Sequence, residues 1–365
     1  MRILIIANTG WYLYKFRYRL IQALILRGHS ICIASPEDKY AQRLVSELGV
    51  QWHSIPSNPR HIVPHKEAFF VYRLFLACRR VRPTMCLTYT PRVNCYITLV
   101  PLRYLGIKLV RNISGLGDSL LSGRKIQTLI ATFLYRRAYN TYWTFYQNQD
   151  DLNLGVREKF SKPGHTSLLP GSGVDLDHFQ FSPHADSPLH RILMVARLIP
   201  AKGYLDYIEL ANRCRSNKAI EFHLAGTLSD DSGITQRKFN ELLNDSGVIY
   251  HGYTEDPATL YAQSDLFVLP STYGEGLPRV LLEAAACGCI LLAYDNPGSN
   301  RAIQHGQNGW IATEASVHAL QECLQKYLAL TQADRQAMSR ASRRHVENGF
   351  SEAEVISAYM DLLKD

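Results

Sequence analysis

The sequence predicts an α/β protein of two domains, each built on a parallel β-sheet. Short apolar segments alternate with stretches of helical period, which is the pattern of βαβ units. The alternation stops at a proline-bounded stretch, 183–188, and then starts again. A chain of 365 residues with 46% hydrophobic content is also long enough to bury two cores. We therefore expect an N-terminal domain at 1–182, a C-terminal domain at 183–350 and a last helix at 351–365.

The first domain opens with one complete βαβ unit. Residues 2–7 have the apolar pattern of a strand, and 8–11 form a tight loop. A helical pattern at 12–27 ends at Gly28, a residue that commonly terminates helices. The next strands of this domain are expected at 30–34, 85–89, 108–113 and 142–146.

The second domain repeats the same alternation. Each of its apolar runs is short and bounded by turn residues, as buried strands of parallel sheets are. Strands are expected at 192–196, 221–226, 248–252, 266–270 and 290–294.

The cysteine spacing, the short apolar runs and the histidine spacing argue against a disulfide framework, a membrane span and a metal site, respectively. The eight cysteines contain no C-x-x-C pair and mostly lie in apolar patterns, which indicates reduced core thiols in a cytosolic protein. Because no segment approaches 18 continuous apolar residues, we expect a cytoplasmic chain without a membrane span. His61 and His65 have the spacing of metal ligands, but Pro59 and Pro64 prevent a regular helix there. No metal site is expected.

Charge is distributed unevenly between the two halves. Residues 1–180 carry 24 Lys and Arg against 10 Asp and Glu, a balance of +14, whereas the remainder carries −6. This asymmetry indicates an anionic partner for the first half: nucleic acid, an anionic membrane surface or a phosphorylated acceptor. The segments 69–82 and 125–139 combine apolar faces with arginine clusters. They could lie at a membrane surface or simply pack on the sheet of their own domain.

The most informative segment is 271–288. Seven residues separate Glu275 from Glu283, and the first glutamate follows the carboxyl end of a predicted strand, where open α/β sheets bind ligands. Pro278 then starts a helix. Eight residues at a helical rise of about 1.5 Å separate the carboxylates by roughly 12 Å, about the span from a hexose to a ribose. The helix start between them suits a diphosphate, and Glu283, on an apolar helix, needs a partner such as a ribose hydroxyl pair.

A second segment, 191–203, carries two cations five residues apart. It reads as a strand followed by a loop that contains Arg197 and Lys202. The planar guanidinium of Arg197 can bind phosphate oxygens through two N–H groups, and Lys202 supplies a compact charge. Together they could hold a diphosphate and neutralise the charge that grows on a leaving phosphate.

Both segments resemble the retaining glycosyltransferases of family 4, whose signature is E-x7-E followed by a helix of small residues. The resemblance extends over nearly the whole chain. It implies the GT-B architecture, in which two Rossmann-like domains face a cleft, the first binding the acceptor and the second the nucleotide donor. The last helix would cross back to the first domain. The resemblance also implies front-face transfer with retention at the anomeric carbon, with no metal and no other cofactor.

The resemblance assigns roles to individual residues. Glu275, Arg197 and Lys202 are the candidate catalytic residues, with Glu275 orienting the hydroxyls of the sugar. A glycine at the first strand-to-helix turn lets backbone N–H groups approach a phosphate or sugar, and Tyr253 follows a strand that lines the base pocket in similar enzymes. The candidate donor-binding residues are Gly10, Arg197, Lys202, Tyr253, Glu275, Gly276, Leu277 and Glu283.

The acceptor side departs from the family pattern. Many family members have a histidine near 112–118, where this chain has Ser114 and then a glycine. Ser114 and Asp118 are the acceptor-side candidates.

The predicted function is transfer of a hexose or N-acetylhexosamine from a nucleotide-sugar, most simply a UDP-sugar, to a glycan acceptor. A basic, aromatic-rich first half suits a polyprenyl-diphosphate-linked acceptor at the inner face of the cytoplasmic membrane, as in similar enzymes that build surface polysaccharides. Nucleic acid is not expected as a partner. Two alternatives stay open: a GT-B fold nucleotide-sugar epimerase and a non-catalytic protein that binds nucleic acid or another anion.

Overall fold

The computed structural model describes residues 1–56, 63–116, 125–183 and 187–364. The chain divides into two compact units. The first comprises Met1–Ser172 with Val355–Asp365, and the second comprises Gly173–Glu354.

The first unit is built on a seven-stranded, wholly parallel sheet of order β3-β2-β1-β4-β5-β6-β7. Its strands are β1 (Arg2–Ile6), β2 (Ser30–Ser35), β3 (Gln51–Ser54), β4 (Met85–Thr88), β5 (Lys108–Ile113), β6 (Trp143–Tyr146) and β7 (Thr166–Leu168). Its helices are α1 (Gly10–Leu26), α2 (Lys39–Leu48), α3 (Pro64–Val81), α4 (Pro91–Tyr96), α5 (Lys125–Arg137) and α6 (Gln149–Arg157). A 3₁₀ turn, Ile97–Leu99, follows α4.

The second unit repeats this design with a six-stranded parallel sheet of order β10-β9-β8-β11-β12-β13. Its strands are β8 (His190–Val195), β9 (Ile220–Ala225), β10 (Ile249–Tyr250), β11 (Leu266–Leu269), β12 (Ile290–Tyr294) and β13 (Gly309–Ala312). Its helices are α7 (Tyr204–Cys214), α8 (Gln236–Ser246), α9 (Ala258–Ala262), α10 (Arg279–Cys287), α11 (Pro297–Ala302), α12 (Val317–Leu328) and α13 (Gln332–Glu347). Short 3₁₀ turns lie at Pro200–Lys202 and Asp230–Ser232.

The central strands are buried on both faces, because helices cover both sides of a parallel sheet. In β1, Ile3 to Ile6 are fully buried, and β11 and β12 are buried throughout. This burial explains why these strands read as continuous apolar runs in the sequence rather than as alternating patterns.

The last helix, α14 (Glu352–Leu362), joins the first unit from Val355 onward. The Tyr359 hydroxyl lies 3.1 Å from the Tyr89 hydroxyl and accepts a hydrogen bond from the Asn112 amide over 3.2 Å. Its ring packs 4.8 Å from that of Phe145. The chain end is therefore anchored in the core of the first unit.

The second unit begins at Gly173, ahead of the proline-bounded stretch 183–188. Val174 forms a bridge with Ser351, and the backbone of Gly173 approaches Glu352 so closely that an added Cβ would lie 2.6 Å from the Glu352 Cα. Arg343 also donates to the carbonyl of Phe179 over 2.7 Å. These contacts tie the residues after Ser172 to the second unit.

The two arginine-rich helices of the first half each bury some of their apolar side chains and expose others. In α3, Phe70 and Leu74 are buried, while Phe69 and Tyr72 are about half exposed. In α5, Leu134 and Tyr135 are buried, but three large apolar side chains of the same helix are exposed: Leu129, Ile130 and Phe133. Each helix thus packs one face in its unit and still presents apolar surface.

All eight cysteines are free thiols, and seven of them are buried. Within the described part of the chain, no helix is long and apolar enough to cross a membrane.

Candidate active site

The two segments singled out in the sequence meet at the carboxyl ends of two central strands of the second sheet. Strands β8 and β11 are neighbours, so the loops that follow their carboxyl ends lie side by side. The backbone N–H of Thr272 donates to the carbonyl of Ala201 over 2.9 Å, and the Ser271 hydroxyl donates to the same carbonyl over 3.3 Å. The cationic loop and the glutamate loop are therefore hydrogen-bonded to each other.

Lys202 and Glu275 form an ion pair across these loops. Their side chains are only 11% and 19% exposed, so water screens the pair weakly. The ring of Tyr273 lies 5.0 Å from the Lys202 ammonium and 6.0 Å from the Arg197 guanidinium carbon. Arg197 itself is exposed. The structure thus brings together the three residues that the sequence nominated for catalysis, around a tyrosine that it did not nominate.

Gly203 permits this close approach. It has a φ of +73°, and a Cβ at this position would lie 1.9 Å from the carbonyl oxygen of Pro270. Only glycine combines the left-handed backbone with the absence of a side chain. The glycine therefore fixes the cationic loop against the end of β11.

Glu283 is buried in α10 and has two protein partners. Its Oε1 accepts from the Arg279 Nε over 2.8 Å, and its Oε2 accepts from the Tyr261 hydroxyl over 3.1 Å. Burial raises the pKa of Glu283, and the charge of Arg279 opposes that rise. The sequence suggested a ribose as the partner for this carboxylate. In the structure, an arginine one helical turn away and a tyrosine from α9 supply the hydrogen bonds.

The start of α10 faces the same loop. Pro278 is the N-cap residue, and within the described residues no side chain caps this helix start. Gly276 and Leu277 are buried just before it. Beneath them lies Gly298 of α11, where a Cβ would be 2.8 Å from the Gly276 carbonyl oxygen and 2.9 Å from that of Glu275.

Asn296 also supports the glutamate loop. Its amide donates to the Tyr273 carbonyl over 2.7 Å, and its side-chain oxygen accepts from the Gly298 N–H over 3.2 Å. Asn296 and Gly298 were not predicted as site residues. Asn-Pro-Gly at the end of a strand was the available signal, because it is a helix-start pattern.

Gly10, in the first unit, has an unexpected neighbour. It is the first residue of α1, and a Cβ there would lie 2.2 Å from the Asp38 Oδ1. Asp38 accepts from the Trp11 N–H over 3.1 Å and from the Ala41 N–H over 2.8 Å. A protein carboxylate therefore already occupies part of this helix start. A donor-binding role for Gly10 stays a prediction.

The remaining candidates are dispersed. Ser114 follows β5 and is half-buried, whereas Asp118 lies outside the described residues. Tyr253 follows β10 and is 59% exposed. Near it, His251 stacks on His223 with ring centroids 5.2 Å apart. Among the described residues, no cluster of three or more His, Cys, Asp or Glu side chains could hold a metal ion.

Comparison with known proteins gives this geometry a context. The family model described as "Glycosyl transferases group 1" matches residues 177–345. The chain is 26% identical over 346 residues to the N,N'-diacetylbacillosaminyl-diphospho-undecaprenol alpha-1,3-N-acetylgalactosaminyltransferase of Campylobacter jejuni, covering 86% of each chain. It is 22% identical to the capsular polysaccharide biosynthesis glycosyltransferase CapM of Staphylococcus aureus, covering 88% of this chain and 90% of CapM.

Solved structures are similar over the full length of the chain. Anabaena HepE in complex with UDP and glucose superposes with a TM-score of 0.81 at 16% identity, covering 100% of this chain and 99% of HepE. A sucrose-phosphate synthase from Thermosynechococcus elongatus gives a TM-score of 0.77 at 18% identity, covering 100% and 98% of the two chains.

The two parallel sheets and these likenesses define the fold as the GT-B architecture. Together with the matched family region and the named relatives, they identify the chain as a glycosyltransferase. Of the three classes that the sequence left open, the matched region and the named relatives support the glycosyltransferase.

Proposed function

We propose that this glycosyltransferase moves a hexose or N-acetylhexosamine from a nucleotide-sugar, a UDP-sugar, to a polyprenyl-diphosphate-linked glycan, with retention at the anomeric carbon. The observation that carries the proposal is the joining of the Lys202 and Glu275 loops beside Arg197 and the start of α10. Membership of glycosyltransferase family 4 and the role of E-x7-E are part of the same proposal.

The diphosphate of the donor would bind between the cationic loop and the helix start. Arg197 is exposed and free to turn its planar fork toward phosphate oxygens, while Lys202 is held in position by Glu275. The first N–H groups of α10 and its positive dipole end add a third source of positive potential. Because these three elements supply the charge, we expect transfer to need no divalent metal and to be insensitive to EDTA.

Glu275 has two tasks in this proposal. One of its oxygens keeps Lys202 at the leaving group, and the carboxylate also accepts hydrogen bonds from hydroxyls of the donor sugar. Glu283 would act from one turn inside the helix. Its bonds to Arg279 and Tyr261 leave it buried and oriented, at the end of the site expected to hold the ribose.

The transfer step follows a front-face path. The bond between the anomeric carbon and the diphosphate oxygen breaks, and the acceptor hydroxyl oxygen bonds to the same face of that carbon. The hydroxyl proton passes to the departing phosphate oxygen, so no protein base is required. Arg197, Lys202 and the helix start stabilise the negative charge that develops on the diphosphate, as preorganised donors do at oxyanions.

The acceptor is proposed from charge and from the relatives. The names of the Campylobacter jejuni relative and of an Escherichia coli galactosyltransferase, 24% identical over 231 residues, both specify a diphospho-undecaprenol-linked acceptor. The +14 balance of the first half suits such an anionic lipid substrate. We therefore propose a cytoplasmic enzyme that builds surface polysaccharide while peripherally bound to the inner face of the cytoplasmic membrane.

A thermal-shift panel of UDP, GDP, ADP and dTDP tests the donor half of this proposal. A nucleotide at 100 times its dissociation constant stabilises the folded state by about 2.7 kcal/mol. We expect a shift with UDP in the wild type and in the exposed control Lys218→Ala, and a much smaller shift in Lys202→Ala. Equal shifts in all three proteins, or none with any nucleotide, would overturn the assignment of the site.

A further inference from the structure

A pocket of about 440 Å³ lies in the first unit, away from the carboxyl ends of its strands. Its walls come from the segments Ile97–Leu109 and Arg137–Tyr142. Lys108 is the first residue of β5, and Tyr142 immediately precedes β6. The pocket therefore opens at the amino ends of these strands, whereas the acceptor candidate Ser114 follows the carboxyl end of β5. The two sites lie at opposite edges of the sheet.

The pocket is positively charged. Arg103, Lys108 and Arg137 line it, and among the described residues that form its wall none is acidic. The Lys108 ammonium lies 4.3 Å from the centre of the Tyr142 ring, which holds the charge at the pocket wall. Arg103 and Arg137 are exposed, so their guanidinium groups can reach a ligand at the mouth.

A fixed charge lies behind this wall. Thr141 lines the pocket, and its hydroxyl is 3.4 Å from that of Thr144, which accepts from Arg111 over 3.1 Å. Arg111 is fully buried and donates its other hydrogen bond to the Phe160 carbonyl. Its Nε and Nη1 are buried and make no hydrogen bond among the described residues. A charge in a low-dielectric interior acts over a longer range than one in water, so Arg111 adds to the positive potential of the pocket.

The surface beside the pocket is apolar. Tyr104, which lines it, is 94% exposed, and Leu99 and Leu105 of the same segment are also exposed. Helix α5 contacts the Ile97–Leu99 turn and ends at Arg137 of the pocket wall, and three of its large apolar residues are exposed: Leu129, Ile130 and Phe133. Large apolar side chains next to cations are typical of surfaces that rest in the headgroup region of a membrane.

We propose that this pocket binds the phosphate headgroup of an anionic phospholipid and thereby docks the first unit on the membrane. The cations complement the phosphate, the volume is that of a small-molecule site, and the apolar side chains enter the boundary between headgroups and acyl chains. The inference rests on the proposed function in one respect, since it supplies the membrane contact that a lipid-linked acceptor requires. It assigns that contact to the amino ends of β5 and β6, away from the acceptor candidate Ser114.

Vesicle co-sedimentation tests the proposal without donor or acceptor. Binding to phosphatidylcholine vesicles and to vesicles with 30 mol% phosphatidylglycerol is measured for the wild type and for the pocket variant, Arg103→Gln/Arg137→Gln. The control Lys39→Gln/Lys162→Gln removes two exposed lysines of the same unit from outside the pocket. A Lys or Arg near an anionic surface contributes about 1 kcal/mol, or about fivefold in partitioning. We therefore expect the pocket variant to lose about 25-fold in binding to anionic vesicles, and the control less than threefold.

Three results would overturn the inference: wild-type protein that ignores phosphatidylglycerol, equal losses in the pocket variant and the control, or no loss in the pocket variant. Lys108→Gln provides a further check, because it removes the cation from the pocket wall. The failure of the proposed function would look different. If the proposed function fails, UDP shifts the Tm of no protein while vesicle binding stays intact. If only the lipid site fails, the UDP-induced thermal shift is present and vesicle binding does not depend on Arg103 and Arg137.

Discussion

Lys202 and Glu275 form a weakly exposed ion pair between two loops that are far apart in the sequence. The pair exists because β8 and β11 are neighbours and because the backbone of the first loop is hydrogen-bonded to the second. A lysine that is held by a carboxylate cannot swing into solvent. The ion pair thus fixes a positive charge at the place where we propose that the leaving diphosphate is stabilised.

The first prediction concerns Lys202. Replacing it with alanine should lower kcat by about 10²- to 10³-fold, the usual effect of removing one preorganised electrostatic group. The reason is that the growing charge on the departing phosphate loses a nearby cation. The measurement is the rate of sugar transfer at saturating donor. Lys218→Ala, an exposed lysine of the same unit, is the control. Equal rates for the two variants would remove Lys202 from the mechanism.

The second prediction separates backbone strain from steric contact at Gly203. Gly203 and Gly247 have nearly the same backbone angle, with φ of +73° and +72°, but a Cβ at Gly247 meets nothing within 4 Å. Gly247→Ala should cost about 1 kcal/mol in the free energy of unfolding, the cost of a left-handed residue. Gly203→Ala should cost about 2 kcal/mol more, because its Cβ collides with the Pro270 carbonyl. Urea denaturation measures both, and equal losses would contradict the close loop packing.

The third prediction concerns the buried Glu283. Glu283→Ala removes the acceptor of the Tyr261 hydroxyl and one of the two carboxylates that pair with Arg279, the other being Glu352, and we expect a loss of about 3 kcal/mol in the free energy of unfolding. Glu283→Gln keeps an oxygen in place and should lose less. Glu322→Ala, an exposed glutamate on α12, should change stability by less than about 0.5 kcal/mol. If Glu283→Ala were as mild as this control, the hydrogen bonds of Glu283 would not be structural.

The fourth prediction is a pH dependence of stability at His223. Burial lowers the pKa of His223, the neighbouring His251 lowers it further, and Glu221 opposes the shift. The unfolded chain therefore binds this proton at a higher pH than the folded protein does. Stability from His223 is complete above its ordinary pKa of 6.5 and is lost as the pH falls below that value, by at most about 1.4 kcal/mol per pH unit.

The comparison is between urea denaturation at pH 7.5 and at pH 5.5. Wild-type protein should lose more stability on acidification than His223→Asn, which keeps a polar group but does not titrate. His318→Asn, an exposed histidine on α12, should behave as the wild type does. The same loss in all three proteins would show that His223 is not the group responsible.

The strands that form the centres of the sheets could be predicted from sequence. Buried parallel strands are continuous apolar runs, as in β1 and β12, and the helices between them have an amphipathic period. The short edge strands β3, β7 and β13 were not predicted. These three strands have only 3 or 4 residues each. In addition, β3 and β7 are not fully buried and lack an apolar run that would distinguish them from loops.

The candidate site was predictable where its residues lie in one segment. Arg197, Lys202, Glu275 and Glu283 could be named because each motif is local and carries charge. The supporting residues could not be, since Tyr273, Tyr261 and Asn296 matter only through contacts that the fold creates. The protein partners of Glu283 were missed for the same reason, and a ribose contact of its carboxylate stays a prediction. Its nearest cation, Arg279, lies four residues before it, and that spacing is enough for a helical ion pair.

The central claim is transfer of a sugar with retention, dependent on the Lys202–Glu275 pair. The most direct test incubates purified protein with a UDP-sugar whose anomeric configuration is known and a polyprenyl-diphosphate-linked acceptor, and reads the new glycosidic bond by NMR. We predict that the product keeps the anomeric configuration of the donor and that Lys202→Ala forms it at least 100-fold more slowly. An inverted product, or transfer that is equally fast in Lys202→Ala, would contradict the account.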